Sequence, residues 1–242
     1  MERLGPLAQQ RGCYGMWVLS DGDNNAALAT YQLAGGLAET DQVVIGWTFW
    51  DPSVKMPDWS EKPILKGSRV LLRPFAEHDI AAMAEILADP EVLRLTGSVH
   101  TTEEANSRGR IPDAMQLEWY RTRASAPGRL DLAVVERATD ALVGEVVLNE
   151  YDAANASCNF RILIGPLGRD RGLGSEATKL VVEYGLASLG LHRIELSVYA
   201  FNPRALHVYE KAGFVTEGIA RDAFCFDGAW IDAISMSILS TD

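Results

Sequence analysis

Cysteine is scarce: Cys13, Cys158 and Cys225 are the three in 242 residues, odd in number, widely spaced and without a CxxC pair. A disulfide scaffold is therefore excluded, and reduced, buried thiols are expected. Histidine is as sparse, and His78, His100, His192 and His207 show no ligand spacing, so no metal site is expected. No apolar run reaches the roughly 18 residues that a membrane helix needs. The opening Met-Glu-Arg-Leu-Gly-Pro lacks a basic start followed by an apolar stretch, so no signal peptide and a cytoplasmic location are expected. Positive charge is in deficit, with 22 Lys+Arg against 33 Asp+Glu and a net charge of −11. A nucleic-acid partner is excluded on that ground, since phosphate neutralisation needs a basic face. A GxxxxGK[ST] string is also missing, which excludes the Walker phosphate loop.

What remains is an ordinary globular composition, 48% hydrophobic and 23% charged, long enough for one large domain or one domain with an appendage. Residues 1–62 read as a separate β-rich extension. Segments 14–20, 27–33 and 42–50 are apolar, aromatic or β-branched, and turn signals lie between them at Asp21-Gly22 and Gly35-Gly36. This pattern predicts a three-stranded meander carrying Trp17, Trp47, Trp50 and Trp59, with residues 51–62 as a proline-bearing connector. It would cover a sheet edge, mediate homodimerisation, form a lid, or extend the core.

Residues 63–242 alternate strand and helix patterns and form the main domain. Short strands are predicted at 70–72, 132–136, 142–148, 160–164 and 194–200, and two more around Asp227-Gly228. Helical spacing appears at Ile80, Met83, Ile86 and Leu87, and again at Ala177, Leu180, Val181, Tyr184 and Ala187. The class is mixed α/β.

The stretch Arg169-Asp170-Arg171-Gly172-Leu173-Gly174-Ser175-Glu176-Ala177 lies between an apolar strand and an amphipathic helix. Glycines there let backbone N–H groups turn onto a phosphate at a helix N-terminus, and Arg169 and Arg171 would add local positive charge. Gly172 to Ala177 also fits the G-x-G-x-x-A of a dinucleotide fingerprint. That motif should follow its strand at once and open the domain, whereas here seven positions separate Gly165 from Gly172. After the next strand comes Asn202-Pro203-Arg204-Ala205-Leu206-His207-Val208-Tyr209-Glu210-Lys211-Ala212-Gly213-Phe214. Asn at the N-cap, Pro at the first helical position and Gly past the end delimit a short helix.

Together the two segments resemble the GNAT superfamily of acetyl-CoA-dependent N-acetyltransferases, the first its [R/Q]-x-x-G-x-[G/A] signature and the second its Asn…Tyr-Glu-Lys-x-Gly-Phe helix. Phe75-Ala76-Glu77-His78-Asp79 resembles the opening of the branch that holds the Rim-type ribosomal-protein N-terminal acetyltransferases. The resemblance covers about residues 65–242 and implies a mostly antiparallel mixed sheet flanked by helices. It implies acetyl-CoA as co-substrate and, as acceptor, a peptide N-terminus or a small cationic amine such as an aminoglycoside or polyamine. A catalytically silent CoA-binding module is the rival reading.

By the same resemblance, Ile162, Leu163 and Ile164 would pair with the pantetheine arm, and N–H groups from Arg169 to Ser175 would hold the pyrophosphate. Asn202 would contact the cofactor, and Arg204 is a candidate for its adenine-side phosphate. Tyr209 matches the family's general acid. Where several relatives carry a glutamate base this chain has Ser197. Glu195 on the same strand face, Glu150 and a water relay are the alternatives. Residues 96–100, with His100 as a candidate contact, and 224–230 would set acceptor specificity.

Overall fold

A computed structural model describes residues 15–20, 29, 37–39, 43–48, 59, 62–107 and 114–242. The chain divides into two compact units, Met1–Lys55 and Met56–Asp242. In the first, β1 (Gly15–Ser20), β2 (Leu37–Glu39) and β3 (Val43–Thr48) form an antiparallel sheet. Its order is β1-β3-β2, so the third strand is central and the expected meander order does not hold. Of the expected middle strand, 27–33, only Ala29 is described, and it is helical. Trp59, read from the sequence as part of the extension, is buried in the second unit's core with its ring 5.3 Å from that of Tyr151.

The second unit is built on one open sheet of eight strands. They are β4 (Leu65–Lys66), β5 (Val70–Arg73), β6 (Leu130–Glu136), β7 (Ala141–Asp152), β8 (Ser157–Ile164), β9 (Arg193–Tyr199), β10 (Val215–Phe226) and β11 (Ala229–Leu239). The order is β10-β11-β9-β8-β7-β6-β5-β4. Each neighbouring pair is antiparallel except β8 and β9. All seven residues of β6 are buried, as a central strand covered on both faces requires.

Helices cover the two faces. On one lie α5 (Leu173–Ala187) and α6 (Pro203–Ala212), packed on Val146, Leu148, Phe160 and Ile194. The other carries α1 (Asp79–Leu87), α2 (Pro90–Leu95) and α4 (Ala114–Thr122), with Met83, Val92 and Tyr120 against Ala133, Val135 and Leu163. A short α3 (Thr102–Ser107) follows α2. Side-chain caps fix the starts of two helices, the one at Asn202 as expected. Asp89 caps α2 through Val92 N–H at 3.0 Å with Pro90 at the first position. Asn202 caps α6 through Ala205 N–H at 3.1 Å, and Gly213 ends that helix at φ 101°. Thr102 with Glu103-Glu104 also signals a helix start in the sequence, with a break at Pro112; that break falls outside the described residues. No described helix is long and apolar enough to cross a membrane.

Candidate active site

The parallel pairing of β8 and β9 covers only Ser157↔Arg193, Cys158↔Ile194 and Asn159↔Glu195. Beyond it each strand follows its outer neighbour. β8 stays on β7 as far as Ile164↔Gly144, and β9 stays on β11 as far as Tyr199↔Ala233. The two strands separate, and from Phe160 and Leu196 onward their facing edges lose their ladder partners. A cleft of about 630 Å³ fills the gap. Its walls draw on both faces of the sheet: Phe160, Ile162, Ile164 and Tyr209 from the α5/α6 side, and Thr96, Glu145, Arg161 and Leu163 from the α2 side.

At one end of the cleft stands the N-terminus of α5. Asp170 (φ 57°) and Gly172 (φ 73°) take left-handed backbone, which swings the chain from β8 into the helix. The first-turn N–H groups of Leu173, Gly174 and Ser175 have no intrahelical acceptor and are oriented for an anion. Leu173 anchors this turn by burying its side chain in the core, and Gly174 lets the turn lie on β8, where an added Cβ would come 3.2 Å from Ile164 Cγ1. Gly172→Ala is expected to cost about 1–2 kcal/mol, read as a lower urea midpoint at unchanged slope. The atoms nearest an added Cβ belong to the flexible Arg69 guanidinium, so backbone conformation sets the loss.

The three motif arginines are all engaged with carboxylates. Arg169 binds Asp89 and Glu91 (Nη1 to Oε2, 2.6 Å) and donates from Nε to the Ile164 carbonyl at 3.2 Å. Arg171 binds Glu136 and does not border the cleft. Arg204 reaches Glu91 at 2.6 Å and Asp170 at 3.5 Å while half exposed at the cleft wall. The positive charge expected around this loop is therefore largely neutralised by residues remote in sequence, and the backbone N–H groups are left as its anion-facing chemistry.

Tyr209 borders the cleft from α6, 7% exposed, with its ring edge-on to Phe160 at 6.0 Å. Its hydroxyl has no hydrogen-bond partner among the described residues, and burial pushes its pKa up to about 12. Ser197, Asn202 and Ser175 also line the cleft. Glu195 does not; Arg193 Nε holds its carboxylate at 3.0 Å on the exposed strand face. Glu150 is exposed at a β7 irregularity with φ 55°. Of residues 96–100 only Thr96 borders the cleft, and of 224–230 none does. His100 instead lies 3.0 Å from the Cys225 carbonyl and against the Phe224 ring.

The sequence reading passed over Asn159, Tyr199, Arg161 and Glu145, all in the cleft wall. The last two carried a signal, a charge inside an otherwise apolar strand. Glu145 is 4% exposed and takes Arg123 Nη1 (2.7 Å) and the Tyr120 hydroxyl (3.2 Å) on Oε2.

A family model described as acetyltransferase (GNAT) domain matches residues 69–215. The chain belongs to this GNAT family. The spermidine N(1)-acetyltransferase of Vibrio cholerae serotype O1 is 36% identical over 108 residues, 45% of this chain and 62% of that enzyme. Its Escherichia coli K12 counterpart is also 36% identical, over 51% of its length, so the match spans between half and two thirds of these relatives. Among solved structures, a GNAT-family acetyltransferase of Bacillus anthracis superposes with a TM-score of 0.61 at 23% identity, covering 74% of this chain and all of the other. Spermidine N-acetyltransferase of Vibrio cholerae, in complex with CoA and spermine, gives 0.61 at 24% identity, covering 72% and 98%. At these identities the likeness is one of fold.

Proposed function

We propose that this chain is an acetyl-CoA-dependent N-acetyltransferase acting on a primary amine of a small molecule. The observation that carries the reading is the parallel pairing that ends at Asn159↔Glu195, because it opens one cleft to both faces of the sheet. The residues present suit CoA: N–H groups at the α5 N-terminus for the pyrophosphate, unpaired strand edges at Ile162–Ile164 for the amides of the arm, and Arg204 at the mouth. Asn202 spends its side-chain oxygen on capping α6 and faces the same space. Acetyl-CoA supplies an acyl carbon activated as a thioester.

With the arm on the α5/α6 side, the amine approaches from the side of Thr96 and Ser197. Its nitrogen forms the new C–N bond as the C–S bond breaks, and the sulfur takes up negative charge. Tyr209 donates a hydrogen bond to that sulfur. Among the described residues no free carboxylate lines the cleft beside Ser197, so the amine's proton leaves through water. The family's Rim-type branch and a peptide N-terminus as acceptor have less support. The segment behind that resemblance packs α1: Asp79 is buried and accepts from Arg73 at 2.6 and 2.9 Å, and the Phe75 ring lies edge-on to Tyr120.

The test is thiol release from acetyl-CoA with amino acids, polyamines, aminoglycosides, capped lysine peptides and N-terminal peptides, alongside a CoA titration. Turnover confined to small molecules is the expected result. Turnover confined to peptides would overturn the acceptor class, and CoA binding without any turnover would overturn the catalytic reading.

A further inference from the structure

Arg161 stands in the middle of β8, in the run Phe160-Arg161-Ile162-Leu163-Ile164. Side chains alternate along a strand. Phe160, Ile162 and Ile164 pack with the α5/α6 core, and Leu163 packs with Met83 and Val92 on the opposite face. Arg161 shares the face of Leu163, the side from which the amine approaches. Its cross-strand neighbour in β7 is Val147, and on its other flank β9 has already separated.

The charged residues bordering the cleft are Glu145, Arg161, Arg169, Asp170 and Arg204. Four are paired: Glu145 with Arg123, Arg169 with Asp89 and Glu91, and Arg204 with Glu91 and Asp170. Arg161 is exposed, and its side chain makes no hydrogen bond or ion pair with any described residue. Glu145, diagonal to Arg161 across β7, is committed to Arg123, and the other polar residues lining this side, Asn159, Ser197 and Thr96, are neutral. In a chain of net charge −11, the acceptor side of the cleft thus presents one uncompensated guanidinium. A polycationic acceptor would meet repulsion there. A carboxylate matches the guanidinium fork in charge and shape.

We infer that the acceptor is a small amine that itself bears a carboxylate, such as an amino acid, and that Arg161 binds this carboxylate while the amine nitrogen faces the thioester. The inference rests on the proposed function and narrows it to one substrate class. Arg161 is then a specificity-determining residue, and the reaction balances as before, with acetyl transferred to nitrogen and free thiol released.

The test uses the full chain, acetyl-CoA and thiol release, with the common amino acids each paired with its amide, and spermidine alongside. The amide has the more easily deprotonated amine, so this bias runs against the expected result. An accepted amino acid should exceed its amide in kcat/KM by about tenfold or more, the scale of a hydrogen bond to a charged group. Spermidine should fall below both. Arg161→Gln should bring the ratio close to one without changing KM for acetyl-CoA, and Arg161→Lys should keep part of it. An amide or spermidine used as well as the amino acids, or a ratio that survives Arg161→Gln, would overturn this inference alone. Acetyl-CoA binding with no acceptor turned over would overturn the catalytic reading and this inference with it.

Discussion

Tyr209→Phe should lower kcat by about 10²–10³, the loss expected when one donor to a developing charge is removed, with CoA affinity unchanged. The size of the effect follows from the environment of the hydroxyl. Burial holds its pKa up to about 12, whereas a thiol titrates near 8.5. Full proton transfer to a free thiolate would thus be uphill by about 5 kcal/mol at 1.36 kcal/mol per pKa unit. In the proposed reaction Tyr209 would therefore act as a hydrogen-bond donor to the sulfur while charge builds, with solvent supplying the final proton.

Two further readings separate this role from packing. The ring contacts with Phe160 and Phe214, at 6.0 and 5.9 Å, survive in phenylalanine. The hydroxyl gives up no protein hydrogen bond, so thermal stability should hold or rise slightly. In the wild type the donor stays protonated until pH approaches 12, so the rate should show no tyrosine-dependent fall through the neutral and mildly alkaline range. Because the folded pKa lies above the unfolded value near 10, any stability linked to this tyrosine is present below pH 10 and lost between 10 and 12. A variant that loses stability while keeping kcat would make Tyr209 a packing residue.

The parts of this molecule legible in the sequence are those fixed by local rules. The cap at Asn202, the glycines at 172 and 213, and the alternation of β9 each depend on a few adjacent residues, and the two GNAT segments are built from such features. The rest depends on partners far along the chain. Arg169 and Arg171 read as free positive charge, yet their carboxylates come from α2 and β6, as many as 80 and 35 positions away. Period two placed Glu195 and Ser197 on one face correctly, but the contact with Arg193 and the line of the cleft decide that only Ser197 borders it. Where β8 and β9 part is a matter of pairing register with β7 and β11, which strand patterns leave open. Proximity in sequence places Trp59 with the extension, whereas its burial follows from a surface supplied by Tyr151. Arg161 and Glu145 were visible as charges in apolar strands, a signal whose meaning depends on what stands opposite.

Arg123→Ala should destabilise the fold by about 3–5 kcal/mol, as removal of one partner from a buried ion pair does. Arg123 is 3% exposed and joins Asp131 and Glu145, both buried, while its guanidinium lies over Tyr120 and Phe75 at 4.4 and 5.2 Å. Burial opposes its charge, but the two carboxylates outweigh that cost and hold the proton more firmly than in a free arginine. The carboxylates do not suffer equally from its loss. Asp131 keeps Arg129 at 2.6 and 2.8 Å, whereas among the described residues the Glu145 side chain keeps the Tyr120 hydroxyl alone. Most of the penalty therefore falls on Glu145, which becomes a buried charge without a cation. An ionised carboxylate buried without a cation costs more than a neutral one, so variant stability should fall as pH increases. Urea unfolding of wild type and variant should show the largest gap at pH 7–8 and a smaller one at pH 5. Glu145→Gln added to Arg123→Ala should recover part of the loss, because it removes the orphaned charge and keeps the hydrogen bond from Tyr120. A gap that is flat with pH and indifferent to Glu145→Gln would mean that the loss comes from the stacked guanidinium's packing on Tyr120 and Phe75 and that the charges contribute little. Since Glu145 also forms part of the cleft wall, the double variant would further show whether this buried pair shapes the acceptor side or only supports it.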